Sequence, residues 1–486
     1  MKYLFIASFI IFLTASCKKD FLDVPNKTAI FRQAYITDLA TTNSYLNGIY
    51  IELASNFYNG YHFIYPDLIA DNIKPAAIGV KPLAAQYRWS QQSNDVRAST
   101  VSNETVNMNP MWLSGYGVVR DCNYIIENVD KYSNENPVKA SDIKGQAFAI
   151  RALVHFVLMN TFSQPYSYTG NGSHIGIPFI TTSDYTQPVT RISVGEVYEH
   201  LIADLNTAIE LLPSTPSTVA LDNKNYVINK NAVKALLARI YLFKEDFAMA
   251  KSLAREVSLA VPIMTGSANY PAKLFTPQET EALFQLPPAW VGASGGGGSY
   301  YYYNEGLYFA TPLLQFVATN DLASVLNENA SDSRRAWISL VGSTWNIIKF
   351  SKNLYSGYAA PTLAYYQTIL RSSEMYLTAA ESYAKLNQED SARFFLNAIR
   401  LRANPTASLV VETGPSLLDS IYKERRKEFA FEGGRVYDLL RLKKSINRID
   451  AYEPTSQSLS FPNDKAIAPL PLSDVNQSGL QQNAGY

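Results

Sequence analysis

Two cysteines in 486 residues leave almost no room for disulfide chemistry. If Cys17 is consumed by modification, Cys122 is the remaining thiol and no intramolecular bridge can form. Cys122 lies in the apolar-periodic stretch 118–129 and reads as a buried core thiol. Histidine is nearly as scarce. His62, His155, His174 and His200 are the full set, none stands in an H-E-x-x-H frame, and no cysteine pair supports them, so neither a metal site nor a cofactor is expected. The chain also lacks an excess of either charge, with 42 cations against 42 anions. Nucleic acid is therefore not an expected partner, because phosphate binding leaves a basic excess or stripe. The run Gly295–Gly298 lacks the Lys-Ser/Thr and the strand–helix frame of a phosphate loop, and reads as a surface turn.

What is present first is an address. Met1-Lys2 precede an apolar run from Tyr3 to Ser16, too short to span a bilayer but suited to a signal-peptide core, and no later apolar run is long enough to cross. Thr14-Ala15-Ser16 place small residues before Cys17, and Lys18-Lys19-Asp20 follow. In outline this resembles the lipobox of bacterial lipoproteins, with Thr14 where an aliphatic residue is usual. The expected organisation is a signal peptide over 1–16 and a single mature domain over 17–486, tethered by lipid on Cys17. Each buried methylene of such a lipid contributes about 0.8 kcal/mol.

The mature chain has the means to build a large core. Hydrophobic residues make up 47% and charged residues 17%, a balance unlike that of disordered chains. Helical spacing of apolar residues predicts helices over 38–55, 110–130, 142–162, 193–212, 229–243, 246–259, 371–387, 389–403, 416–432 and 435–448. Two successive pairs resemble tetratricopeptide hairpins: Leu237, Ala238 and Tyr241 before Ala250, Val257 and Pro262, then Ala379, Ala380 and Tyr383 before Ala392, Leu396, Ile399 and Pro405. The expected fold class is an all-α scaffold of such hairpins with long, irregular, loop-rich insertions. Because the two pairs lie about 140 residues apart, a tandem solenoid is not expected. Residues 56–109 and 263–370 carry no sustained helical period, and long loops on a rigid scaffold are where binding usually resides.

The segment Glu424–Arg435 interleaves acids and bases. Glu424, Glu428 and Glu432 recur every four residues, with Arg425 and Arg426 between them, so ion pairs within and between helices are available. Gly433-Gly434 is expected to end the helix. A catalytic acid pair is the alternative, but neighbouring arginines would keep both acids ionised. No enzymatic activity is expected.

Several motifs occur in order along the chain: Ser16-Cys17-Lys18-Lys19-Asp20-Phe21-Leu22-Asp23; Gly145-Gln146-Ala147-Phe148-Ala149-Ile150-Arg151-Ala152; Arg191-Ile192-Ser193-Val194 before Ile202-Ala203-Asp204-Leu205; Arg371-Ser372-Ser373-Glu374; Asn397-Ala398-Ile399-Arg400-Leu401-Arg402; and the charged segment 424–435. The closing Gln482-Asn483-Ala484-Gly485-Tyr486 has Ala484 where proline is common. Together they resemble the SusD/RagB family of outer-membrane nutrient-binding lipoproteins of the Bacteroidetes. The resemblance implies a lipid-anchored protein facing the cell exterior, which binds oligosaccharides and delivers them to a SusC-like TonB-dependent transporter. Peptide binding of the RagB kind, or a helical-repeat adaptor between proteins, are the alternatives.

Sugar recognition needs aromatic faces beside hydrogen-bonding groups. Tyrosine is abundant, with 33 residues against 23 Phe and 5 Trp. Tyr58, Tyr61, Tyr87, Trp89, Gln91, Asn94 and Arg97 supply this mixture in the first loop-rich segment. Trp290 and Tyr300, Tyr301, Tyr302 and Tyr303 supply it in the second. Trp89, Asn94, Arg97, Trp290 and Tyr300–Tyr303 are the expected ligand contacts, converging on one exposed face.

Overall fold

The structure, a computed structural model, describes residues 35–58, 60–77, 83–93, 108–215, 225–266, 268–287, 316–350 and 366–486. Helix α1, Leu39–Glu52, starts where the Asp38 carboxylate accepts from Thr41 N at 2.7 Å and the Thr41 hydroxyl oxygen accepts in return from Asp38 N at 3.0 Å. This reciprocal cap satisfies donors that the first turn leaves free. Helices α2 (Gly60–Leu68) and α3 (Asn109–Asn128) follow, then α4 (Pro137–Phe162) and α5 (Val194–Leu211). Helix α5 opens on a Ser193/Glu196 capping box. Helix α4 packs on both α3 and α5, and most of its residues are buried, with Arg151 paired to Asp204 inside. Gly145 permits that closeness: a Cβ there would stand 2.9 Å from Leu212 Cγ.

The expected hairpins are present. The first is α6 (Lys230–Phe243) with α7 (Phe247–Ala260), and the second is α9 (Ser372–Lys385) with α10 (Glu389–Ala403). Ala238, Ala250, Ala379, Ala380 and Ala392 are all fully buried between the partners. Each hairpin turns through a residue in left-handed backbone, Glu245 at φ +65° and Asn387 at φ +58°, the usual way to terminate a helix and reverse direction.

One expectation is corrected. Although 261–371 separates them in sequence, α7 packs directly on α9. The helices α3–α4–α5–α6–α7–α9–α10 therefore form an unbroken succession of neighbours, and α11 (Gly414–Glu428) packs on α9 and α10. Spatial stacking depends on the faces the hairpins bury, not on the length of chain looped out between them.

The described parts of the two intervening segments contain short strands and helices that their sequence did not suggest. Strands β1 (Ile73–Pro75), β3 (Phe316–Ala318), β5 (Thr344–Ile347) and β4 (Ile338–Val341) form an antiparallel sheet in the order β1-β3-β5-β4. Strands β2 (Ala282–Leu286) and β6 (Gln367–Arg371) pair separately. Around the four-stranded sheet, with α8 (Asn320–Leu326), lies a second hydrophobic cluster built on Trp337, Phe275, Phe316 and Phe350. Phe63 and Ile64 of α2 and Phe431 beyond α11 complete it. Two short helices, α12 (Arg435–Arg441) and α13 (Leu472–Ser478), belong to the C-terminal part.

Candidate functional site

The charged segment becomes the electrostatic centre of the molecule. Glu428, wholly buried at the end of α11, accepts from Arg371 Nη1 and Arg402 Nη2, each at 2.6 Å, from Tyr270 OH at 2.9 Å and from Arg334 Nη1 at 3.3 Å. Burial alone would raise its carboxyl, but Arg402, Arg371 and Arg334 outweigh burial and hold it well below the ordinary carboxylate range. Glu428 is thus a fixed anion and no proton donor. Helix α11 stops there, four residues short of the expected end. Lys349 Nζ donates to Glu428 O at 3.2 Å and Ala430 O at 2.9 Å, and Arg371 Nη2 to Glu428 O at 3.0 Å. These cations satisfy terminal carbonyls that another turn would have used. Glu432, beyond the stop, accepts from Lys349 Nζ and from Nε and Nη2 of Arg371.

Further pairs extend the network. Arg441 grips Glu381 bidentately at 2.6 and 2.8 Å, Arg435 grips Asp71 at 2.6 and 2.9 Å, and Arg239 grips Glu374. The arrangement locks α6, α9, α11 and α12 together. The other expected core group, Cys122, is fully buried, and burial pushes its thiol up.

Three concave regions with aromatic linings stand out among the described residues. A cavity of about 140 Å³ lies at the seam of α2, α4, α6, β6, α11 and α12, with Phe63, Phe243 and Phe429 beside Arg239, Glu374 and Arg425. A more open cleft of about 400 Å³ runs between Trp112 and Tyr116 of α3 and the loop around Phe179 and Tyr185. A third, about 680 Å³, lies beside α10 with Tyr270, Tyr376, Phe394 and Leu401. No group of His, Cys, Asp and Glu arranged to hold a metal ion occurs among the described residues.

Trp89 corrects an expectation. It is 6% exposed, its indole N–H donates to Ile69 O at 3.0 Å, and the Arg448 guanidinium lies 3.9 Å from the ring centroid. Arg448 also donates to Ile69, Ala70 and Tyr87 carbonyls. The indole is the apolar floor of a buried arginine, not part of an exposed face. Tyr87 and Gln91 are buried in the same region, while Tyr58 lines the seam cavity. The Tyr61 side chain, Asn94, Arg97, Trp290, Tyr300–Tyr303 and the lipidation candidate Cys17 lie outside the described residues.

The anchors of those segments are clear. Leu286 pairs with Gln367 across β2/β6, and Tyr226 stacks on Tyr366 with centroids 5.6 Å apart. Residues 287 and 366 therefore lie together at one sheet end. Ser93, before 94–107, is tied instead to Leu470 and Gln482 near the C-terminus. The seam residues Phe63, Arg239 and Tyr437 were missed as lining groups, because their helices meet only in the folded chain.

Residues 20–242 match a SusD-like family model described as starch-binding associating with outer membrane, and residues 315–486 match the SusD family model. SusD-like protein P2 of Formosa agariphila is 25% identical over 463 residues, covering 82% of this chain and 84% of that protein. A SusD superfamily protein of Bacteroides thetaiotaomicron superposes with TM-score 0.80 at 25% identity, covering 92% of this chain and 100% of the other. A SusD-like carbohydrate binding protein of Bacteroides vulgatus superposes with TM-score 0.74 at 18% identity, over 91% of this chain and 97% of the other. At that identity the likeness is one of fold.

Proposed function

Because the chain belongs to the SusD family, we propose that it is a cell-surface lipoprotein which binds oligosaccharides and delivers them to a SusC-like TonB-dependent outer-membrane transporter. The observation that carries this reading is the pair of family models spanning both halves of the chain, the first described as starch-binding associating with outer membrane. No helix among the described residues is long and apolar enough to cross a membrane, which suits a tethered protein. Binding requires no chemistry of the chain, only a surface that grips a polyhydroxylated ligand and releases it. Trp290 and part of Tyr300–Tyr303 are the proposed stacking faces, with Asn94 and Arg97 as hydroxyl partners. Only about half of an uninterrupted tyrosine run can face a ligand if its backbone is extended, because successive side chains alternate.

Calorimetric titration against oligosaccharides and peptides tests the ligand class. A shallow aromatic platform is expected to bind at micromolar to millimolar Kd, or about −4 to −8 kcal/mol. Trp290→Ala is expected to weaken that binding at least tenfold with the helical circular dichroism unchanged. Binding of peptides alone would move the protein to the RagB-like alternative. Mild-detergent pull-down of a tagged copy tests the partner: a large outer-membrane protein is expected to be retained. A pull-down without one would favour the adaptor.

A further inference from the structure

The cleft between α3 and the loop 178–189 is propped open by its own hydrogen bonds. From α3, Asn123 Nδ2 donates to Ile180 O at 3.1 Å and to Thr182 O at 2.9 Å, and Tyr116 OH donates to Pro178 O at 2.7 Å. Glu127 accepts from Ser183 N at 2.8 Å and from the Ser183 hydroxyl. From α4, His155 Nε2 accepts from Ile180 N at 3.2 Å. The ring is neutral, because burial and then the charge of Arg151 lower its pKa to about 3, and its Nδ1 faces Arg151 O at 2.9 Å. Nδ1 therefore carries the proton and Nε2 the lone pair. Phe179 is stacked between the His155 and His200 rings, with centroids 4.0 and 4.8 Å away. Fastened in this way, the loop stands off from α3 and leaves a space of about 400 Å³.

The walls of that space are apolar where they meet solvent. Tyr185 on the loop is 89% exposed and Leu113 on α3 is 50% exposed, and both line the cleft. Apolar side chains exposed singly need no explanation, but a pair on the two walls of one cleft marks a surface that a ligand can cover. Tyr185 also sits in a fixed turn. The Asp184 carboxylate accepts from Thr186 N at 2.9 Å, from the Thr186 hydroxyl at 2.7 Å and from Gln187 Nε2 at 2.8 Å. The turn is thus ordered before any ligand arrives, which reduces the entropy lost on contact.

The polar groups around the cleft narrow the ligand class. The two acids that line it are committed, Asp184 to its own turn and Asp474 to Trp112 Nε1 at 2.5 Å, so a cationic ligand has no uncommitted partner. Arg120 makes one hydrogen bond among the described residues, from Nε to its neighbour Asp121 at 3.2 Å. Beside it stand the neutral side chains of Thr181, Gln187 and Ser478. An extended peptide would add to a free backbone edge, but the carbonyls of Pro178, Ile180 and Thr182 and the N–H groups of Ile180 and Ser183 are spent on fastening the loop. An exposed aromatic face beside neutral hydrogen-bonding groups and one guanidinium suits a polyhydroxylated ring. Size agrees. A void of about 150 Å³ takes one benzene-sized ring, and clefts of about 300–1,000 Å³ are typical of ligand sites.

We infer that the cleft between α3 and the 178–189 loop is a second carbohydrate subsite, which takes a short oligosaccharide segment with Tyr185 as its stacking face and Arg120 and Gln187 as hydroxyl partners. The ligand class rests on the carbohydrate reading above, and the site shares no residue with the platform proposed at Trp290.

The test titrates the detergent-solubilised full chain by calorimetry with maltotriose, cellotriose and xylotriose, and with trialanine as the peptide probe. Trp290→Ala serves as the background, because it removes the proposed platform. At least one trisaccharide is expected to bind that background. Adding Tyr185→Ala is expected to weaken the binding at least fivefold with Tm unchanged, since so exposed a ring packs on little of its own chain. Tyr185→Phe, which keeps the ring, is expected to bind within about twofold of the background, and Arg120→Ala to weaken binding about threefold. Unchanged affinity in Tyr185→Ala overturns the proposal and leaves the carbohydrate reading standing. A background that binds no trisaccharide, or binds trialanine alone, also overturns it. If no oligosaccharide binds the unmodified chain, the carbohydrate reading falls and this subsite falls with it.

Discussion

Removing the Glu428 carboxylate would strip Arg371, Arg402 and Arg334 of a shared partner inside the protein. Breaking a buried ion pair from one side costs about 3–5 kcal/mol, because the remaining charge has nowhere to go. Glu428→Ala is expected to lower the free energy of unfolding by about that amount, read from chemical denaturation. A loss under about 1 kcal/mol would mean that the neighbouring carboxylates compensate. Two buried acids pull stability in opposite directions with pH. The Glu428 carboxyl is lowered on folding, so its stabilisation is present above the unfolded value near 4.5 and is lost as pH falls below it. Glu279 is raised to about 8, by burial first and then by the charge of Glu281. The folded state holds its proton more tightly than the unfolded state. Its contribution is therefore full below about 4.5 and declines as pH climbs toward 8. Glu279→Gln, which mimics the neutral form, is expected to flatten the fall in Tm between pH 5 and pH 8. Parallel Tm profiles for the two proteins would assign the alkaline decline to another group.

At the scale of elements, the joint between α11 and α12 separates two glycines that look alike in sequence. Gly433→Ala forces an L-residue into left-handed backbone and against Phe63 O, and is expected to cost about 2 kcal/mol or more. Gly434→Ala, with open space ahead of it, is expected to stay within about 0.5 kcal/mol of the parent. Thermal denaturation of the pair separates backbone need from free volume. The hairpins were legible in the chain because Ala238, Ala250, Ala379 and Ala392 mark close helix approach at fixed spacing. Their stacking across 261–371 was not, since spacing along the chain carries no information about which faces meet. The strands escaped notice because they are short and, as in β3 and β2, buried at every position, so no alternation appears. Ion pairing by Glu428 was readable from its four-residue repeat, whereas its partners Arg334, Arg371 and Arg402 arrive from distant elements. Trp89 misled for a chemical reason: aromatic beside arginine describes a buried cation–π floor as well as it describes a sugar platform.

For the whole molecule, the proposed place at the cell surface calls for an anchor. Forty-two cations balance forty-two anions, so no net positive charge draws it to anionic lipid, and no described helix is suited to cross. Lipid on Cys17 is the remaining proposal from the sequence, and its strength depends on chain number. One acyl chain gives marginal, reversible binding, while two or more give a stable anchor. Residues 18–34 between Cys17 and the described scaffold have a covalent reach of at most roughly 60 Å. Two forces would then retain the protein in an outer-membrane fraction, the lipid and the transporter, and they respond differently to treatment. Alkaline carbonate strips proteins held by protein contacts and leaves lipid-anchored ones in the pellet. The unmodified protein is expected to stay in the carbonate pellet, to be shaved from intact cells by protease, and to carry acyl mass on its N-terminal peptide. Cys17→Ala is expected to lose the acyl mass and move to the carbonate supernatant, or to keep its leader uncleaved. A leader-cleaved Cys17→Ala protein that still resists carbonate would place the anchor elsewhere in the chain.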